Sequence, residues 1–277
     1  MLPCHNAAAE IGDQLAALAA QRSTTEWEVV VVDNGSTDDT AAVAERFAPC
    51  LPGFRVVGAS TRQGRHHACN RGVGAARGDA VVFVDADDRV SSDFVEAMAD
   101  ALAAHPVVVP RLEHTLLNRG PACRMTFQTA NAEATSFLPV GTGSGLGMRR
   151  DVFTAVGGFD ETMDYCEDVD LCWRAQLAGH ALHFEPAAVV HYRQRRAWRA
   201  MFTQQRRYGV GMVLLYRKFR GQGMPRRRPA DAARDWLAIA AAVPHIRDPD
   251  IRLRWTRRTG RAVGRVQGSV RHLTFYV

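Results

Sequence analysis

Val81-Val82-Phe83-Val84-Asp85-Ala86-Asp87-Asp88 is an apolar run that ends abruptly in three carboxylates. A continuous β-branched and aromatic run of this length suits a strand covered on both faces, as in a sheet flanked by helices. The carboxyl end of such a strand is where open α/β sheets bind ligands. Asp85 and Asp87, two apart in an extended turn, can address one hard cation. Oxygen-only ligation completed by substrate phosphates suits Mg2+ or Mn2+. A plainer reading makes this a strand-to-helix loop whose aspartates cap a helix starting near Ser91. Asp93 and the neighbouring serines already serve that cap, so the further acids call for another reason.

Working outward, the pattern recurs one strand earlier in Glu28-Val29-Val30-Val31-Val32-Asp33. Asp33 either opens a turn before Gly35, since Asp-Asn-Gly is strong turn chemistry, or faces the same crevice. Two acidic strand ends with parallel-sheet patterning favour the shared crevice. Strands are also expected at 1–4, where the first is truncated, and at 54–59 and 107–109. Two more, at 181–184 and 189–192, would close the sheet. Helices are expected at 36–47, 64–77, 91–104 and 167–178. The last carries Asp170 and Arg174 at i,i+4 and Gly179 as its C-cap. Gly141 to Gly147 is a flexible loop or a glycine-rich strand. Residues 113–139 give a weak signal and are expected to line the acceptor side. Beyond Arg195 the chain reads as helical and basic, interrupted at 221–225. The fold class is therefore α/β, a mixed open sheet flanked by helices, with a basic helical appendage.

Composition agrees. In 277 residues, 47% are hydrophobic and 23% charged, with 23 Gly and 12 Pro, which supports a real core and argues against disorder or collagen-like repeats. The six cysteines include no C-x-x-C pair, so a zinc ribbon or disulfide framework is not expected and reduced thiols in a cytosol fit better. No apolar run approaches the roughly 20 residues of a membrane span. The opening Met-Leu-Pro reaches His5-Asn6 at once, so no cleavable leader is read. Charge is split sharply: residues 1–190 balance at −11 and residues 191–277 at +17. A basic third of this kind meets something anionic, with nucleic acid, a membrane surface and a phosphorylated substrate as the classes.

Glu167-Asp168 opens a helix. Acids in a first turn are favoured by the macrodipole alone, but beside the Asp85–Asp87 crevice one could act as general base toward a hydroxyl. His191 ends a strand and is a structural residue or a ligand. His66-His67 reads as surface or packing. Gly141 to Gly147 fails G-x-G-x-x-G, because Leu146 and Met148 fall where the last glycine belongs, and neither a Walker A sequence nor a G-x-S-x-G elbow occurs.

Taken in order, Pro3-Cys4-His5-Asn6, Val31-Val32-Asp33-Asn34-Gly35-Ser36-Thr37-Asp38, Gly64…Asn70-x-Gly72…Ala76-x-Gly78, Asp85-Ala86-Asp87-Asp88, Gly157-Gly158-Phe159-Asp160-Glu161 and Glu167-Asp168-Val169-Asp170-Leu171 resemble family 2 glycosyltransferases of the GT-A fold. The likeness runs from residue 1 to about 215, leaving 216–277 as the basic segment. It implies an inverting transfer from a nucleotide-sugar donor, usually a UDP- or dTDP-sugar, to a small-molecule, saccharide or lipid-linked hydroxyl. It also implies that Pro3, His5, Asn6, Asp33 and Gly64 hold the nucleoside. Asp85-Ala86-Asp87 would be the D-x-D motif, with Asp87 the direct ligand of Mn2+ or Mg2+. Asp168 would be the catalytic base, Glu167 would lie near the acceptor, and His191 would be a further metal ligand. Gln204-Gln205-Arg206-Arg207-Tyr208 resembles the Q-x-x-R-W motif of processive members with Tyr for Trp, which argues against polymer synthesis.

Members of that family carry several apolar residues ahead of the Pro-x-x-Asn turn, where this sequence has Met1 and Leu2. A longer native start, or a poorly supported edge of the donor site, is the expectation. Two alternatives stay open: a sugar-phosphate nucleotidyltransferase, and a non-catalytic nucleotide- or anion-binding protein. The nucleotidyltransferase usually has a Gly-rich, basic loop after its first strand, which the turn at Pro3–Ala7 lacks. The expected setting is cytoplasmic, with the basic third touching an anionic membrane surface and nucleic acid the less favoured partner.

Overall fold

The computed structural model describes residues 1–120, 137–195 and 197–277. Three short parallel strands, β1 (Leu2–Cys4), β2 (Val30–Asp33) and β3 (Arg55–Gly58), lie in the order β1-β2-β3, with Leu2 opposite Val31 and Val30 opposite Arg55. Five more, β4 (Ala80–Val82), β5 (Arg89–Val90), β6 (Val107–Glu113), β7 (Gly147–Arg149) and β8 (Leu182–His191), follow the order β4-β7-β6-β8-β5 with mixed directions. The Met1 amino group donates to Val82 O, and Val84 N–H donates to Met1 O, each at 3.0 Å. These two bonds tie the residue before β1 to the end of β4 and the residues just after it, which brings the three- and five-stranded sheets edge to edge.

Why consecutive residues of a strand are apolar is visible at the start of β6. Val107 and Val109 enter a cluster with Phe83, Leu146, Phe153 and Leu171, while Val108 enters another with Ile11, Leu15, Phe94 and Met98. Alternate side chains thus leave by opposite faces, and both faces are covered. The covering helices are α1 (Ile11–Ala19), α2 (Thr40–Glu45), α3 (Arg65–Ala75), α4 (Phe94–Ala104), α5 (Arg150–Ala155) and α6 (Glu167–Leu177). Within α6, Asp170 and Arg174 pair at 2.8 Å and Gly179 follows with φ +93°, as the sequence indicates.

Several expectations need correction. The strands expected at 181–184 and 189–192 are one strand, β8. Its register against β6 jumps from Pro110–Glu185 to Arg111–Val189, because Pro186 has no N–H to give the ladder and residues 186–188 bulge. Asp93 makes no capping bond at α4; Gln21 Oε1 accepts from Val95 N–H at 2.9 Å instead. The short strand β5, pairing Arg89 with His191, carries too little apolar sequence to be read in advance. Most of the weak stretch 113–139, at 121–136, lies outside the described residues.

A second compact unit is built from Gln194–Val277 with the short segment Thr162–Cys166. It contains α7 (Trp198–Phe219), α8 (Pro229–Ala242) and α9 (Pro249–Arg271). Gly260, Gly264 and Gly268 recur every fourth residue along α9 and let its backbone press on α7: a Cβ on Gly264 would lie 2.0 Å from the Arg206 carbonyl oxygen. The division expected after residue 215 therefore falls inside α7, whose length from Phe202 to Val213 is spoken for by α9. No helix among the described residues is long and apolar enough to cross a membrane.

Candidate active site

The apolar run ends where the sheet opens. Asp85, Asp87 and Asp88 follow β4, and one carboxylate oxygen from each lies within 4.8 Å of the others. They are not equivalent. Asp88 turns inward, accepting from Ser144 Oγ at 2.5 Å and from Arg193 N–H at 2.7 Å. Burial, with Asp85 and Asp87 alongside, pushes its carboxyl well above the ordinary range. Arg193 also donates from Nε to Asp87 O at 2.7 Å, and Gln14 Nε2 donates to Asp85 O at 3.3 Å. The backbone of the acidic turn is thereby fixed from both sides. Ala86 between them is buried in the core.

Arg65, the first residue of α3, organises the rest. Its Nε donates to Asp85 Oδ1 at 3.0 Å, its Nη2 to Gly143 O at 2.8 Å, and its Nη1 lies 3.7 Å from Glu167 Oε1. Burial alone would lower its pKa, but Asp85, Glu167 and Asp168 outweigh that and hold it above the usual value. The same strand-end crevice therefore receives the first turn of α6. Asp168 accepts from Gly143 N–H at 2.7 Å and Val169 N–H at 2.8 Å. Burial raises its carboxyl, against the pull of Arg65 and these two N–H groups. Glu167 is pushed up to about 7, first by burial and then by the Asp168 carboxylate. A buried acid pair with one guanidinium holds a proton near neutrality, a property suited to proton transfer.

On the β1–β2 side the backbone is shaped by side-chain bonds. Pro3 lies in β1 beside Val32. His5 Nδ1 lies 3.2 Å from Asn34 O, in position to donate, and Asn6, with φ +51°, accepts at its Oδ1 from Thr37 N–H at 2.8 Å. Asp33 Oδ1 accepts from Ser36 N–H at 3.0 Å, so the turn reading holds for that oxygen. Asn34 Oδ1 accepts from Gly64 N–H at 2.7 Å, and its amide donates to Ala59 O and Arg62 O, linking the two loops. Gly64 sits at φ +145°, where a Cβ would meet the His66 ring at 2.7 Å. At the end of β8, His191 Nδ1 faces Glu113 Oε2 at 2.7 Å. Thr115 and the Leu116 N–H also donate to Glu113, and these partners outweigh burial and hold its carboxyl down at about 2. His191 is not one of the three residues whose ligand atoms cluster. A groove of about 1540 Å³ lies instead at the amino ends of β2 and β4, lined by Glu28 to Val30 and Asp79 to Val82, away from the acids.

This architecture matches known proteins. The family model described as glycosyl transferase family 2 matches residues 1–157, and that of glycosyl transferase family group 2 matches residues 80–266. The chain belongs to glycosyl transferase family 2. Its sequence is 29% identical over 195 residues to the pre-mycofactocin glycosyltransferase of Mycobacterium tuberculosis, covering 65% of this chain and 40% of that protein. The chain thus spans about two fifths of that relative's length. The fold matches the mannosyltransferase PcManGT of Pyrobaculum calidifontis, solved with GDP-Man and Mn2+, at TM-score 0.70 and 19% identity over 96% of this chain and 85% of the other. It also matches glucosyl-3-phosphoglycerate synthase of M. tuberculosis, solved with Mn2+, UDP and phosphoglyceric acid, at TM-score 0.56 and 20% identity over 81% and 78%. The chain therefore has the GT-A fold of this family, and the family match favours the glycosyltransferase reading over the nucleotidyltransferase alternative.

Three residues of this candidate site escaped the sequence reading. Arg65 stands directly after Gly64 in a quoted motif, and that position was its one signal. Ser144 and Arg193 brace Asp88 across 56 and 105 residues, a relation no local pattern carries. For a hard divalent cation the donor chemistry fits, since carboxylate oxygens converge at the end of a fixed turn.

Proposed function

We propose that the enzyme moves a sugar from a nucleoside-diphosphate sugar of the UDP or dTDP class to an acceptor hydroxyl, with inversion at the transferred carbon. The observation that carries this reading is the Arg65 bridge, which ties Asp85 at 3.0 Å and Glu167 at 3.7 Å into one crevice. The donor acids and the proton-transfer acids thereby face a common space. Neighbours of the same fold holding UDP or GDP-Man with Mn2+ support the donor class and the ion.

In this reading Pro3, His5, Asn6, Asp33 and Gly64 border the nucleoside, and Ala86 packs beneath the turn that presents Asp85 and Asp87. Mn2+ or Mg2+ held by Asp87, Asp85 and His191 would stabilise charge on the departing diphosphate. Glu113 holds Nδ1 of His191, which leaves Nε2 as the atom directed to a ligand. Asp168 takes the proton from the acceptor hydroxyl, and its burial raises the proton affinity that this step needs. One in-line displacement follows, with no protein nucleophile. Glu167 borders the acceptor, which is a saccharide, a small molecule or a lipid-linked alcohol. The basic residues 191–277, at +17, together with exposed Val270 and Leu273 support contact with an anionic membrane surface.

Calorimetric titration of UDP, dTDP and GDP with and without Mn2+ tests the donor site. One diphosphate should bind in a metal-dependent way, and Asp87→Asn should abolish that dependence. Asp168→Asn should keep donor binding and lower transfer by about 10²–10⁴-fold. Unchanged transfer in Asp168→Asn would remove the base assignment. Failure to sediment with anionic vesicles at low salt would remove the membrane contact.

A further inference from the structure

A second concave site lies within the C-terminal unit, where α8 and α9 enclose a cavity of about 520 Å³. Its walls carry Arg254, Arg257, Arg258, Arg261 and Arg265 against one carboxylate, Asp235. That carboxylate is already shared: Oδ2 accepts from Arg265 Nη2 at 2.7 Å and Arg227 Nη2 at 2.6 Å, and Oδ1 lies 3.7 Å from Arg258 Nε. Positive charge is in excess in a partly desolvated place. Burial pulls the pKa of both Arg261 and Arg265 downward, although Asp235 acts in the opposite sense. The buried Nε of Arg265 has no hydrogen-bond partner. A buried guanidinium N–H without an acceptor is costly, and natural sites rarely leave one so.

We infer that this cavity is a binding site for a phosphate group, separate from the sugar-transfer site. Guanidinium forks match phosphate oxygens in pairs, and several around one anion give the strongest recognition available without a metal. The volume falls within the range of small-ligand pockets, about 300–1,000 Å³. Ile239, Ala242 and Ile251 form an apolar side, and Trp255 is held there by its Nε1 donating to Ile239 O at 3.1 Å. The mixed walls favour a phosphate ester carrying an apolar group over a bare ion. A phosphorylated lipid headgroup and a soluble phosphoester are the sources of that chemistry. A concave pocket rather than a flat stripe argues against a nucleic-acid duplex. The inference does not rest on the donor reading, because its residues and its assay are independent of Asp85, Asp87 and any metal.

The test is calorimetric titration of inorganic pyrophosphate into the full chain, kept metal-free with a chelator so that the acidic site takes no part. Binding should be seen, and Arg254→Ala/Arg258→Ala should weaken it about tenfold or more. Arg220→Ala/Arg228→Ala removes equal charge from exposed positions outside the cavity and should leave binding within about twofold. Matching thermal unfolding of the two doubles shows that each folds. Flotation with phosphatidylcholine vesicles, with and without phosphatidic acid, separates the sources. Phosphatidic-acid-dependent flotation that pyrophosphate competes away and the cavity double loses assigns a lipid headgroup. Pyrophosphate binding without flotation assigns a soluble phosphoester. No binding, equal loss in both doubles, or binding of duplex DNA that pyrophosphate fails to compete would overturn the site.

Discussion

Replacing Arg65 by Met keeps most of the side-chain volume and removes the charge that three carboxylates share. In the native enzyme Arg65 Nε–Asp85 Oδ1 is 3.0 Å and Arg65 Nη2–Gly143 O is 2.8 Å, with Arg65 one quarter exposed and Glu167 less so. Removing one partner of a buried pair costs about 3–5 kcal/mol. Water reaching the exposed quarter screens part of this, which brings the expected loss to about 2–4 kcal/mol at neutral pH. The loss should depend on pH with a definite sign. Glu167 and Asp168 are already raised, and Arg65 is what restrains them. Without it their folded-state values rise further, the folded protein binds more protons than the unfolded one, and stability falls as pH increases. The deficit of Arg65→Met should therefore be smaller at about pH 5 than at about pH 8, by about 1 kcal/mol or more. Urea unfolding of metal-free protein, followed by far-UV circular dichroism at both pH values, measures it. A deficit equal at the two pH values would show that Arg65 contributes packing only, and one below about 1 kcal/mol would refute the bridge as an organising contact.

Glu167→Gln should behave oppositely. Its carboxyl ordinarily ionises near 4.5 and is pushed up to about 7 in the fold, so native stability is lost across that interval as pH rises and the variant escapes the loss. Its unfolding midpoint should gain on the parent between about pH 5 and about pH 8, and a constant offset would contradict this. Glu113→Gln should weaken Mn2+ binding in the presence of UDP by about 10–100-fold through a freed His191 ring, and unchanged calorimetric affinity would take His191 out of the ligand set. Gly264→Ala places a Cβ 2.0 Å from Arg206 O and should lower stability by about 1–3 kcal/mol as α7 and α9 separate, which a thermal melt reads directly.

What the sequence disclosed is what local physics controls. A run of Val and Phe ending in acids announces a covered strand; β2 obeys, with Val30 to Val32 buried, while β4 stops at Val82 and the buried run continues through Phe83 and Val84 beyond it. Gly35 at φ +77° follows from Asp-Asn-Gly in the same way. The roles of side chains that act across the sheet were not legible. Asp88 looks like Asp85 and Asp87 in sequence, yet Ser144 and Arg193 turn it inward and make it a brace. The glycines of α9 were visible at four-residue spacing, but their partner α7 was not, so the boundary at 215 was drawn through a helix.

Charge balance explains why Arg65 matters most among the unread residues. A strand end that gathers Asp85, Asp87 and Asp88 beside Glu167 and Asp168 would repel itself without a cation, and the fold supplies one from the first turn of α3. That solution divides the labour among the three aspartates. Asp85 gives Oδ1 to the guanidinium, Asp88 accepts from the backbone N–H and hydroxyl that hold the turn, and in the proposed reading Asp87 is left as the foremost ligand of a donor-bound cation, beside the remaining oxygen of Asp85. The same guanidinium then remains beside Glu167 and Asp168, so a substitution made at Asp85 should be felt in the proton affinity of these two acids.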